Sequence, residues 1–94
     1  MLIVSGWLRV DPTERDAYLA GCLDVIAAAR RAPGCLDFHL AADPLDASRI
    51  NVYEAWVTEA DVEAFRSGGP SDDQAAQILG ASVQQHVVAT STDL

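Results

Sequence analysis

Cysteine is scarce. Cys22 and Cys35 are the only two in 94 residues, too few for the disulfide framework that staples small secreted domains. Both fall inside expected regular elements, so they read as buried free thiols of a reducing compartment. Bases are few as well: fourteen acidic residues against six basic ones leave a net charge of −8. Such a charge repels nucleic acid and anionic membrane surfaces. No apolar run approaches the roughly 20 residues of a membrane span. The opening Met1-Leu2-Ile3-Val4-Ser5-Gly6-Trp7 lacks the basic flank, long apolar run and small-residue cleavage site of a secretion signal, so a first strand is expected there. The expected location is cytoplasmic. Histidine is limited to His39 and His86, and two imidazoles without a clustered third ligand make a poor metal site. No glycine-rich phosphate loop, nucleophile elbow or Cys–His pairing stands in the chain, and Gly68-Gly69 reads as a loop. Haem, flavin, nicotinamide and metal are therefore not expected.

What is present is apolar. Half of the residues are hydrophobic, which fits a folded domain rather than a disordered chain. The length allows a single domain spanning 1–94. Leu2 to Val10 alternates, with Leu2, Val4, Leu8 and Val10 on one face and Ile3, Ser5, Trp7 and Arg9 on the other, the period of a strand. Asp11-Pro12-Thr13-Glu14 then reads as a helix start capped by Asp11. Tyr18, Cys22, Ile26 and Ala29 form an apolar stripe at helical spacing, and Pro33-Gly34 ends this long helix after Arg30 and Arg31. Cys35 to Ala42 alternates again, with Leu36, Phe38 and Leu40 opposite Asp37 and His39. Beyond the turn from Asp43 to Ser48, a third strand from Arg49 to Val57 sets Ile50, Val52, Glu54 and Trp56 against Asn51, Tyr53, Ala55 and Val57. Thr58 caps a short second helix with Asp61 in the capping-box position, and Val62 and Phe65 form its buried side. Ser67-Gly68-Gly69-Pro70 breaks it. Ser71, with Gln74, begins a third helix that Gly80 stops. Ser82 to Thr90 is the expected last strand.

Strand, helix, strand, strand, helical segment, strand is the split βαβ order of an α+β, ferredoxin-like domain. Its helices cover one face of a four-stranded antiparallel sheet. The other face would ordinarily be polar, yet Ile3, Trp7 and the second side of the third strand are apolar. A chain of this size buries only about 60–65% of its unfolded surface. A second copy of the chain is the expected cover, giving a homodimer.

Ala32-Pro33-Gly34-Cys35-Leu36-Asp37-Phe38, the hairpin Asp43-Pro44 to Ser48-Arg49, Val52-Tyr53-Glu54-Ala55-Trp56 and Thr58-Glu59-Ala60-Asp61-Val62 together resemble the antibiotic biosynthesis monooxygenase family. The resemblance implies a homodimeric α/β barrel with one cavity per subunit, between sheet and helices. It also implies cofactor-free oxygenation of phenolic or quinol-like polycyclic compounds, although some relatives degrade haem and others process small phosphorylated sugar-like signals. Where many members carry a histidine after the tryptophan and a Pro-His pair beyond it, this chain has Phe65 and Pro70-Ser71. The haem-degrading branch needs an asparagine near Gly6 and an axial histidine, and this chain has neither.

The resemblance puts Trp56 on the cavity wall, where an indole can stack on a planar substrate; the alternative is a core tryptophan. His39 and His86 are the natural bases for drawing a proton from a phenol or enol, with Asp37 on the strand face of His39. For each, a satisfied or solvent-facing histidine is the more ordinary alternative. Glu54, if buried, needs a partner, which Arg49 or Arg9 could supply as a structural ion pair; the alternative is a catalytic acid. Asn51 and Phe65 are supporting residues. Two functions follow: a cofactor-independent monooxygenase with Trp56 and His39 at its centre, or a non-catalytic dimeric module that binds a small hydrophobic or aromatic ligand. Hairpin register separates them. If His39 and Trp56 lie on opposite faces, they share no catalytic site, and binding takes precedence.

Overall fold

The structure is a computed structural model that describes residues 1–67 and 72–94. Along the chain run β1 (Leu2–Arg9), α1 (Arg15–Gly21), α2 (Leu23–Arg31), β2 (Cys35–Ala42), β3 (Arg49–Trp56), α3 (Glu59–Arg66), α4 (Asp72–Ala76) and β4 (Gly80–Val87). The strands form one antiparallel sheet in the order β2-β3-β1-β4. This is the α+β, ferredoxin-like arrangement expected from the element order. No helix among the described residues is long and apolar enough to cross a membrane.

The helix after β1 starts later than expected and is broken once. Asp11 does not cap it. Its Oδ1 accepts from the Thr13 amide at 2.8 Å and the Thr13 hydroxyl at 2.6 Å, and the Glu14 amide bonds the Asp11 carbonyl at 2.9 Å. These bonds hold residues 11–14 as a turn, a known competitor of helix for aspartate. Glu14 takes the cap position without a side-chain bond. Gly21, a poor helix former, precedes the break, where the Cys22 amide bonds the Leu19 carbonyl in a tightened turn. The buried stripe nevertheless continues through Tyr18, Cys22 and Ala29.

Gly34 closes the α2–β2 turn at φ +80°, a conformation suited to glycine. A Cβ there would also run into the Asp61 side chain. Its carbonyl accepts from the Val57 amide at 2.8 Å, tying this turn to the end of β3. Immediately after, β2 carries a bulge between Cys35 and Asp37. Leu36 falls out of the ladder and is 56% exposed, so it does not share the buried face of Phe38 and Leu40 as alternation suggested. A bulge sets two residues against one and breaks the parity.

Thr58 caps α3 as expected, but Asp61 Oδ2 takes the Thr58 hydroxyl rather than the backbone amide that would complete a capping box. The Asp61 amide donates to Thr58 Oγ1 at 3.2 Å, and that hydroxyl donates to Asp61 Oδ2 at 2.8 Å. Gly68, Gly69, Pro70 and Ser71, read as the break and the start of the next helix, lie outside the described residues. Gly80 is not a helix stop. It opens β4, opposite Arg9, and the strand ends at Val87, short of Thr90.

Two packed clusters separate sheet and helices. One gathers Leu2, Ala29, Phe38, Trp56 and Val62; the other gathers Val10, Tyr18, Cys22 and Ile50, and Ile26 and Leu40 touch both. Val4 and Val52 are buried between them and, among the described residues, belong to neither cluster.

Candidate functional site

Register decides which side chains meet. Trp56 pairs with Leu2, and Glu54 pairs with both Val4 and Phe38, so both point to the helix side. His39 pairs with Tyr53, which pairs with Ser5, on the outer face. His86 stands opposite Ile3 and Asn51 opposite Trp7, also outside. Within the chain the sheet therefore divides the candidates. Trp56, Glu54 and Phe65 come together, while His39, Asn51 and His86 stay apart from them. A single pocket containing both Trp56 and His39 is excluded.

On the helix side, Trp56 is fully buried and Glu54 is 8% exposed. Trp56 Nε1 donates to Glu54 Oε1 at 3.0 Å. The ring of Phe65 lies 5.5 Å from the indole and 5.9 Å from Phe38, closing this corner with aromatic surface. The ion pair expected between Glu54 and Arg49 or Arg9 does not form. Both guanidinium groups are on the outer face, 5.9 Å and 5.0 Å from the Trp7 ring. Strand parity explains this, since Arg9 and Arg49 pair with each other across the outer side of the ladder. Beyond Phe65, a cleft of about 380 Å³ is lined by Ala32, Pro33, Asp61, Ala64, Phe65 and Ser67. Its volume is in the range of small-molecule sites, and Phe65 belongs both to it and to the Trp56 packing.

Both thiols are pushed up from their ordinary range, chiefly by burial. They stay protonated and unreactive near neutrality. Among the described residues, no group of three or more His, Cys, Asp and Glu is placed to hold a metal ion.

On the outer face, His39 engages Asp37 as expected, with Nε2 2.8 Å from Oδ1. Arg30 was missed as its second partner. Read only as a cation suited to a helix end, it sends Nη2 to 3.4 Å from His39 Nδ1 and donates Nε to the Phe38 carbonyl at 3.0 Å. A guanidinium can only donate, so in this contact Nδ1 is the acceptor, while Nε2 faces the Asp37 carboxylate. Both ring nitrogens are thus engaged by neighbouring side chains. The hydrogen bond from His39 is also the main cause that holds the Asp37 carboxyl below its usual range. Asn51 is likewise committed, donating to Asp43 Oδ1 at 2.9 Å and accepting from Arg49 Nε at 2.7 Å. It braces the β2–β3 hairpin.

The sequence model of antibiotic biosynthesis monooxygenases matches residues 1–77. Among solved structures, a protein from Deinococcus radiodurans provisionally named as such a monooxygenase superimposes with TM-score 0.86 at 12% identity, covering 100% of this chain and 98% of its own. One from Nitrosomonas europaea with the same provisional name gives TM-score 0.81 at 17% identity, covering 96% and 100%. A third, from Chloroflexus aurantiacus, gives 0.74 at 26% identity, covering 98% and 96%. Among proteins with curated descriptions, none matches.

Proposed function

The chain belongs to the antibiotic biosynthesis monooxygenase family, and from that premise we propose that it is a cofactor-independent monooxygenase of a small aromatic, quinol-like or polyketide-like compound. One observation carries the proposal: a buried indole, Trp56, is hydrogen-bonded to a buried carboxylate, Glu54, in the layer between sheet and helices. An apolar, aromatic-walled layer with one polar group suits a flat, poorly soluble phenol. Dioxygen reacts readily only with an electron-rich anion, so the protein's task is to hold and deprotonate the substrate. An anthrone illustrates the balance. Its methylene carbon loses two hydrogens and gains one oxygen atom as a ketone; the second oxygen leaves as water. All four electrons come from the substrate, and no cofactor is required.

The working form is a homodimer paired through the outer sheet faces, in the cytoplasm, with neither nucleic acid nor membrane as partner. Dioxygen consumption in a screen of quinols and anthrones tests the activity, with ketone or quinone expected in equal amount. Taken alone, the separation of His39 from Trp56 gives precedence to a second function, non-catalytic binding of a small hydrophobic ligand, and the full burial of the indole favours it too. Family membership and the Trp56–Glu54 pair are what put the oxygenase first. Saturable binding of the same compounds without oxygen consumption would select it.

A further inference from the structure

Glu54 is the one buried charged or polar side chain among the described residues. A carboxylate in an apolar layer is costly unless it is paired, and an apolar residue of similar size often serves stability better. Among the described residues no cation pairs with it. Its hydrogen-bond partner among the described residues is the Trp56 indole, which occupies Oε1. Among the described residues no buried side-chain oxygen or nitrogen lacks a partner, so Oε2, which makes no hydrogen bond to any of them, keeps a small accessible area. The two oxygens are thus differentiated: one is held, the other open.

The surroundings give that open oxygen a setting. Glu54 stands beside Val4 in the ladder, next to the Gly6–Val52 pair. Val4 and Val52 lie between the two packed clusters and belong to neither. At Gly6 the helix-side face has no side chain at all. Both imidazoles are excluded from the role that sequence patterning suggested for them, since His39 and His86 are on the other face of the sheet. Neither thiol, the buried Cys22 nor the half-buried Cys35, is ionised to take their place.

We propose that Glu54 is the catalytic proton acceptor of this site, taking hydrogen from an acidic C–H or O–H bond of a flat phenolic or anthrone-like substrate; this rests on the oxygenase function proposed above. Oε2 forms the new O–H bond as the substrate bond breaks. The electron pair of that bond stays on the substrate as an enolate or phenolate, and Glu54 becomes a neutral carboxylic acid. The indole keeps hold of Oε1 throughout and fixes the direction of Oε2. Transfer removes charge from the apolar layer on the protein side and leaves it on the delocalised anion that dioxygen attacks. The proton later departs with the water that is formed.

Proton abstraction can be separated from oxygenation with anthrone in deuterium oxide under argon, following exchange of its methylene hydrogens by NMR. Wild type should accelerate the exchange. Glu54→Gln keeps the size and an oxygen for the indole but cannot accept the proton, and should lower the acceleration by roughly 10²–10⁴-fold. Glu54→Asp keeps the charge but withdraws it, and should lose about tenfold or more while exceeding Glu54→Gln. If the glutamine variant does not fold, the aspartate variant carries the comparison. Exchange that is absent in wild type, or undiminished in the variants, overturns the role of Glu54. Exchange lost in Glu54→Gln with no oxygen uptake by wild type keeps Glu54 as the acceptor and removes the oxygenase. Oxygen uptake undiminished in Glu54→Gln does the reverse.

Discussion

Asp43 collects hydrogen bonds from the Asn51 side chain at 2.9 Å and from the amides of Leu45 and Asp46 at 3.0 and 2.9 Å. All favour the carboxylate, and they lower its pKa from the ordinary 3.8 to about 2, the Asn51 bond contributing most. A group whose pKa is depressed by folding stabilises the fold above its unfolded value and loses that contribution as pH falls through the folded one. Thermal melts of the wild type should therefore weaken as pH falls from about 4 to about 2. In Asn51→Ala, Asp43 should titrate closer to 3.8 and this part of the acid sensitivity should shrink. An unchanged Asp43 titration by NMR in the variant would refute that coupling. Residue types were legible in the sequence where both partners lie along one short stretch. Thr58 with Asp61 and Asp37 with His39 are such pairs. The partner of Glu54 was not, because an indole two positions along the strand competes poorly for attention with two arginines that offer charge. Only the face that each residue occupies settles the choice.

The first three strands were visible as alternation, and every residue of β3 sits on the side that alternation assigned. Alternation fixes parity within a strand but not between strands, so the separation of His39 from Trp56 had to come from the hairpin register. The bulge at Leu36 and the break at Cys22 left no comparable periodic trace. Gly6 shows how much one position can govern an element. Its φ of +153° lies outside the range that side chains readily adopt, and a Cβ there would meet the Ser82 carbonyl and the Val83 Cα of β4. Gly6→Ala should cost roughly 1–3 kcal/mol from backbone strain alone, read as a lower urea midpoint. The loss should be local to one side of the sheet. Amide exchange should quicken along β4, while β2 and β3, joined by the Asp43 hairpin, stay protected. A variant with wild-type midpoint and uniform protection would show that β1 and β4 can part without cost.

As a whole, the subunit is a slab of 39 × 30 × 19 Å. Its accessible surface is 6087 Å² for 10.0 kDa, whereas a compact monomer of that mass exposes about 5,200 Å². The excess accompanies an outer face on which Tyr53 is 38% exposed and Val57, just beyond β3, is 50% exposed, with Ile3 and Trp7 half-buried. We expect a dimer in sedimentation at micromolar concentration, burying on the order of 1,500 Å² or more in total. A stable monomer there would remove the case for a barrel. The two tryptophans make this pairing observable without any label. Trp7 lies on the outer face under Arg9 and Arg49, and Trp56 lies on the helix side, sealed from water. Each side of the sheet thus carries its own fluorophore. Dilution through the association range should alter the emission of Trp7 and leave that of Trp56 constant, whereas an aromatic ligand reaching Glu54 should quench Trp56 and spare Trp7. Assembly and occupancy are written in two separate optical channels by the parity of a single sheet.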